Sequence, residues 1–237
     1  MCARITLTTT AAEISDLFGL AFDLSSTTAR PRYNVAPSQP VPVVRLRPDG
    51  ARELTAMRWG LVPHWNTNPK HVGFVNARAE SAAGKPAFRD PFRLRRCLVP
   101  AGGFYEWERR GKAKQPYYFT DVGGGPLALA ALWDRWDGPA GTVEGVAVLT
   151  VPANDLVRPL HNRMPAILPP EQFAAWLDPK QRDPARLLPL LVPYPSDRLE
   201  RRPVDRRVNS AKVDEPGLTA AVELPERPRQ PGLFDAA

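Results

Sequence analysis

The feature that most limits how this chain can fold is a pair of long apolar runs, Leu127 to Trp136 and Val143 to Val151. Each is rich in Leu, Val and Ala with few polar interruptions, the pattern of a strand covered on both faces. Both are therefore expected at the centre of the structure. Around them lie 28 prolines in 237 residues, which imply a loop-heavy surface. Hydrophobic residues make up 43% of the chain, enough for a sizeable core. With no internal repeat and no clean linker, one α+β domain over 1–222 is the economical reading. The proline-rich, charged stretch 223–237 reads as a disordered tail.

Other elements follow from local pattern. Ile5-Thr6-Leu7 reads as a short strand. Thr10-Ala11-Ala12-Glu13 is a capping box that opens a helix through Ile14, Leu17, Phe18 and Phe22. Arg32 to Pro37 is irregular but held extended before the proline. Val41 to Arg47 and Arg52 to Met57, joined by Pro48-Asp49-Gly50, form a hairpin. Asn76 to Ser81 starts a helix. Arg96 to Ala101 and Phe104 to Glu108 are strands around a Gly102-Gly103 break. Arg109 to Lys114 is a basic turn leading to a further strand, Tyr117 to Phe119. Pro169-Pro170 opens a helix over Glu171 to Leu177. Pro184 to Leu191 is a further helix, and Val204 to Asn209 a last strand.

Several function classes are excluded. There is no Walker loop and no G-x-G-x-x-G after a strand. His64, His71 and His161 lack zinc-site spacing and there is no C-x-x-C, so neither metal nor cofactor is expected. No apolar run is long enough to cross a membrane, and the first residues are not a secretory signal. Cys2 and Cys97 cannot form a disulfide framework, which suits a reducing cytoplasm. Cys97 lies in an apolar run and reads as a small buried hydrophobe. The formal charge is +7, and only six of the 32 basic residues are lysine. An arginine-rich surface favours a polyanionic partner, although an arginine-rich genome gives the same composition.

The residue types that carry chemistry are few. Cys2 follows the initiator methionine, which an aminopeptidase removes before a small residue. The mature end would then be a 1,2-aminothiol, with an amine titrating near ~8 and a thiol near ~8.5. Such a group condenses with an aldehyde to an imine, which the thiol closes to a thiazolidine. The same four residues also read as an ordinary frayed terminus. Glu106 shares a strand face with Phe104 and Glu108, where aromatic neighbours would desolvate it and suit it to proton transfer. It reads also as an exposed strand carboxylate paired with a nearby arginine. His161 is a neutral-pH proton carrier or a structural histidine. Asn76 and Arg78 sit at a strand end, and Arg4, Arg78 and Arg163 suit bidentate phosphate contacts or plain salt bridges. Trp65 is a candidate stacking platform for an unpaired base, whereas Trp59 reads as core.

Met-Cys at the start, R-Y-N-V-A-P at 32–37, W-G-L-V-P-x-W at 59–65, N-A-R-x-E at 76–80, Arg96 to Trp107, Thr150 and H-x-R-M-P at 161–165 occur in this order. Together they resemble the SRAP family, the SOS-response-associated peptidases understood as abasic-site shielding proteins. The resemblance runs from residue 2 to about 215. It implies a barrel-like core of mostly antiparallel strands with flanking helices. It implies a monomer that binds single-stranded DNA at abasic sites and crosslinks to the open-chain sugar aldehyde through Cys2. By the same resemblance Asn76 orients the terminus and sugar, Glu106 assists ring opening, and His161 is an acid or base. Arg4, Asn34, Trp65, Arg78, Thr150 and Arg163 would contact DNA. Position 3 departs from the family, with Ala3 where glycine is usual. Two other readings stay open: a thiol peptidase that removes Met1 using Cys2 and His161, and a non-covalent single-strand binder. A peptidase has no need of its cysteine at residue 2, whereas thiazolidine chemistry does.

Overall fold

The two apolar runs are strands, and they pair with each other. In chain order the strands are β1 (Ile5–Leu7), β2 (Arg32–Val35), β3 (Pro40–Leu46), β4 (Arg52–Trp59), β5 (Asn76–Arg78), β6 (Arg96–Ala101), β7 (Gly103–Arg110), β8 (Ala113–Asp121), β9 (Leu127–Gly138), β10 (Gly141–Pro152), β11 (Arg163–Pro165) and β12 (Leu199–Pro203). The helices are α1 (Ala11–Phe18), α2 (Ala79–Ala82), α3 (Pro86–Leu94), α4 (Phe173–Leu177) and α5 (Pro184–Leu187). The structure, a computed structural model, describes residues 3–20, 30–68, 71–111, 113–139 and 141–224. Cys2, Phe22 and the tail from 225 therefore lie outside the described residues. No helix among the described residues is long and apolar enough to cross a membrane.

Strands β9 and β10 pair antiparallel from Ala131↔Val148 out to Gly138↔Gly141. The neighbours then run β10–β4–β3–β6–β9, which closes a five-stranded barrel on itself. Only the β4–β10 contact in that ring is parallel. Closure removes the exposed strand edges that an open sheet would leave. The parallel seam needs backbone against backbone: a Cβ on Gly145 would lie 2.4 Å from the Gly60 carbonyl oxygen. Val43, Val44, Leu98, Val99, Leu129, Leu132, Val146 and Leu149 are all fully buried in this core.

A second sheet, ordered β12–β8–β7–β1–β2, places the N-terminal strand between two partners. Ile5 pairs with Val35 on one side and Phe104 on the other. The faces of this sheet alternate as the strand period requires. Phe104 stacks on Phe119 at 4.8 Å within the main core, while Tyr105 and Tyr118 turn to the other face. There Val204, Val208 and Leu218 of the C-terminal segment cover them.

Helix α1 begins with the expected capping box: Thr10 and Glu13 bond reciprocally, and Gly19 ends the helix at φ +57°. Other expectations need correction. Arg32–Val35, read as irregular and extended, is a strand that pairs with β1 through a register shift between Ile5 and Leu7. Residues 76–78 form β5 rather than a helix start, since they pair in parallel with Val148 to Thr150 of β10; the helix begins at Ala79. The last strand is Leu199–Pro203, not Val204 to Asn209. The earlier segment fills the free edge of β8, and Asp205 then caps a 3₁₀ turn over Arg206–Asn209 by accepting from the Arg207 N–H. Helix α3 has no counterpart in the sequence reading, because Pro91 interrupts its pattern. The buried Arg96 knits α3 to α4, donating to the carbonyls of Phe92, Arg93, Trp176, Asp178 and Gln181.

Candidate active site

The second sheet supplies one half of the site. Arg4 precedes β1 and is fixed by two contacts from its Nη1, 2.7 Å to Asn34 Oδ1 and 3.0 Å to the Val208 carbonyl. Asn34 is fully buried on β2, and its amide nitrogen donates to the carbonyls of Val208, Ser210 and Val213. Partial burial lowers the Arg4 pKa below the usual guanidinium range, and the Arg4 guanidinium lies 5.9 Å over the Trp107 ring. Two strand positions from Phe104, Glu106 is 3% exposed. Burial pushes its carboxyl up to about 7, and the positive charge of the chain's amino end works against that rise. Water is a better solvent for a carboxylate than the base of this cleft is.

The end of the barrel supplies the other half. In the β5–β10 register Asn76 lies opposite Val148 and Arg78 opposite Thr150. Thr150 is fully buried, and its hydroxyl donates to the Ala77 carbonyl at 3.3 Å. Arg163, on β11, donates to the Thr150 carbonyl and makes a bidentate pair with Glu80 at 2.6 and 2.9 Å. Two residues earlier stands His161. Its Nδ1 lies 2.9 Å from the Arg163 N–H nitrogen and 3.1 Å from the Arg163 carbonyl oxygen, so it accepts from the first in one ring tautomer and donates to the second in the other. Burial, the charge of the amino end and Arg163 all favour the neutral ring, against the pull of the Arg163 carbonyl.

The halves meet in a cleft of about 1170 Å³ whose walls include Ala3, Arg4, Glu106, Trp107 and His161. A carboxyl poised near neutrality, a neutral imidazole and a guanidinium thus share one basin. That combination suits proton transfer on an anionic substrate. No group of three or more His, Cys, Asp or Glu among the described residues is arranged to hold a metal ion.

Residues 1–211 match the family model named SRAP, SOS response associated peptidase. The chain belongs to that family. Among SRAP relatives, the abasic site processing protein YoqW of Bacillus subtilis is 38% identical over 223 residues, covering 92% of this chain and 98% of that one. The abasic site processing protein HMCES of Gallus gallus is 32% identical over 228 residues, covering 82% of this chain and 67% of that one. A crystal structure of a protein from Bacteroides thetaiotaomicron has a TM-score of 0.82 at 25% identity, covering 94% of this chain and 100% of that one.

Within the SRAP domain the expected site residues divide by accessibility. Arg4, Glu106 and His161 reach the cleft. Arg78 and Trp65 are exposed, Trp65 at 54% in the connection between β4 and β5. Asn34 and Thr150, expected to touch DNA, are both fully buried. Asn34 holds Arg4, and Thr150 holds Arg163. Their buried polar atoms are satisfied by these bonds, as burial demands. Cys2 lies outside the described residues. The sequence reading missed the cleft's other wall, Arg109, Lys114, Arg206 and Asn209. A basic turn over Arg109 to Lys114 is visible in the sequence, but nothing in its pattern ties it to Glu106.

Proposed function

We propose that this protein processes abasic sites in single-stranded DNA by forming a thiazolidine between Cys2 and the open-chain sugar. The observation that supports it is the presence of Ala3 and Arg4 on the same cleft as Glu106 and His161. Cys2 is one peptide bond from Ala3, so their Cα atoms are ~3.8 Å apart. The names of the SRAP relatives, abasic site processing proteins, point to the same lesion. Removal of Met1, by an aminopeptidase or by the cysteine itself, exposes the aminothiol.

The chemistry balances without an oxidant or a metal. Opening the cyclic sugar breaks C1′–O4′, moves the hydroxyl proton to a base and delivers a proton to O4′. Glu106, titrating near 7, serves both transfers. The α-amine adds to C1′ and water leaves, giving an imine. The thiol sulfur then bonds to C1′ and its proton passes to nitrogen, for a net loss of one water. His161, neutral, takes and returns protons at these steps and at reversal. Asn76 orients the terminus and sugar. Arg4, Arg78 and Arg163 bind phosphates, and Trp65 stacks on a neighbouring base. The imine is also the intermediate from which a lyase-type strand scission departs. The reading places a monomer on DNA in the cytoplasm.

The test is a denaturing gel of the purified protein mixed with single-stranded DNA carrying one abasic site. A shifted, detergent-resistant band is expected, absent with Cys2→Ala and absent with undamaged DNA. A wild-type lane with no shifted band would remove this reading. Glu106→Gln is expected to slow band formation at least tenfold, a loss of about 1.4 kcal/mol or more in transition-state stabilisation.

A further inference from the structure

Deep in the cleft the charges are paired or buried, but its outer wall is different. Strands β7 and β8 pair antiparallel, and their register sets Arg109 directly opposite Lys114. Like charges facing each other across two strands destabilise a sheet. The next charged position shows what a relieved arrangement looks like: Arg110 pairs with Glu108 at 2.7 Å. Arg109 and Lys114 are both exposed, and among the described residues neither side chain has a carboxylate partner. Arg206 reaches the same wall from the turn after β12, its Nε donating to Gln115 Oε1 at 3.2 Å. Trp107 completes the face, with its indole N–H donated to Asn209 Oδ1 at 2.7 Å. That bond fixes the ring as a wall of the cleft between Glu106 and the cations.

We infer that this wall is a phosphate track that carries the strand flanking the lesion, with Arg109, Lys114 and Arg206 on successive phosphates and Trp107 against a base. The inference rests on the DNA reading above and extends it. The phosphate-binding arginines expected from the family are Arg4 before β1, Arg78 on β5 and Arg163 on β11, whereas the cations of this track lie on the β7–β8 hairpin and the 206–209 turn. A polyanion seated between Arg109 and Lys114 supplies them with negative charge, since Glu108, the carboxylate that lines the same cleft beside them, is paired with Arg110. A half-exposed aromatic beside phosphate-binding cations is the arrangement by which single strands are held without regard to sequence. The ligand is accordingly a single-stranded phosphodiester chain of any sequence.

The experiment measures binding of an undamaged fluorescent single-stranded oligonucleotide by anisotropy, across a salt series. Undamaged DNA keeps the outcome independent of crosslinking. The double variant Arg109→Gln/Lys114→Gln is compared with wild type and with Arg182→Gln, which removes an exposed arginine that does not line the cleft. Removing one cation from a phosphate of a single strand lowers the slope of log K against log salt by ~0.7, so the double variant is expected to fall by ~1.4 and bind about tenfold more weakly. Its melting temperature is expected to equal or exceed that of wild type, since the opposed charges are gone. Arg182→Gln should keep the wild-type slope. A double variant with wild-type slope and affinity overturns the track, as does a wild type that does not bind the oligonucleotide. The aminothiol reading fails separately, through the absence of a crosslink band while the salt slope still responds to the hairpin.

Discussion

Burial does opposite things in the barrel and in the sheet beside it. In the barrel, β6 removes Cys97 completely from water, and the thiol's pKa rises far above its ordinary value. No thiolate forms at any working pH, so the group is a packing atom. In the neighbouring sheet β7 removes Glu106 almost as fully, and the same loss of solvation brings its carboxyl up to about 7. A shift away from neutrality silences the first group, and a shift toward it readies the second. The lesson is that depth alone does not mark a site. What matters is where the group's ordinary pKa lies relative to the working pH.

The largest effect that bears on this contrast is in the core. Leu129→Ala, fully buried in β9, is expected to cost about 2–5 kcal/mol in urea unfolding. Glu106→Gln should cost nothing, or stabilise, because it removes a desolvated carboxylate. A Glu106→Gln protein less stable than Leu129→Ala would reverse the comparison. Next comes pH. A carboxyl titrating at 4.5 unfolded and about 7 folded binds more protons when folded between those values. Stability is therefore highest below pH ~4.5 as far as this group is concerned, falls as pH rises through the window, and is lower by about 3 kcal/mol above it. Unfolding of wild type and Glu106→Gln at pH 5 and pH 8 checks this: the difference should shrink toward pH 5. The smallest effect concerns Cys97. Iodoacetamide should leave it unmodified in the native protein and label it only in denaturant; labelling at native conditions would mean that the barrel opens.

Much of the architecture was legible because long strands carry their own pattern. The runs at 127–136 and 143–151 are where the barrel closes, and the 41–57 hairpin is one of its walls. The alternation from Phe104 to Glu108 placed Glu106 on the face of Phe104, inside the core, and Tyr105 on the other. Elements defined by partners were not legible. Leu199–Pro203 has no alternation of its own and ends in proline; it is a strand because β8 has a free edge. The three-residue β5 exists only through β10. In the candidate site, the residue types that could carry the proposed chemistry are visible in the sequence, and the cleft brings Glu106 and His161 together. The hold of Asn34 on Arg4 and of Thr150 on Arg163 was not legible, because the partners lie far apart in sequence and only the fold brings them together. Arg109 and Lys114 lie five positions apart in sequence, and only the hairpin register sets them face to face.

The placement of β1 has a practical consequence. Most chain ends fray, but this one is woven into a sheet at Ile5, between β2 and β7, and pinned again at Arg4. Whatever precedes Arg4 works on a leash, and two residues of fully extended chain reach only ~7 Å. Under the function proposed above, a leash that short keeps the aminothiol within reach of Ala3 and Arg4 on the cleft. The same proposed chemistry needs a free amine at Cys2 and so excludes a tag at that end. Anyone producing this protein should append affinity handles after residue 237 and verify by mass that the first residue is cysteine.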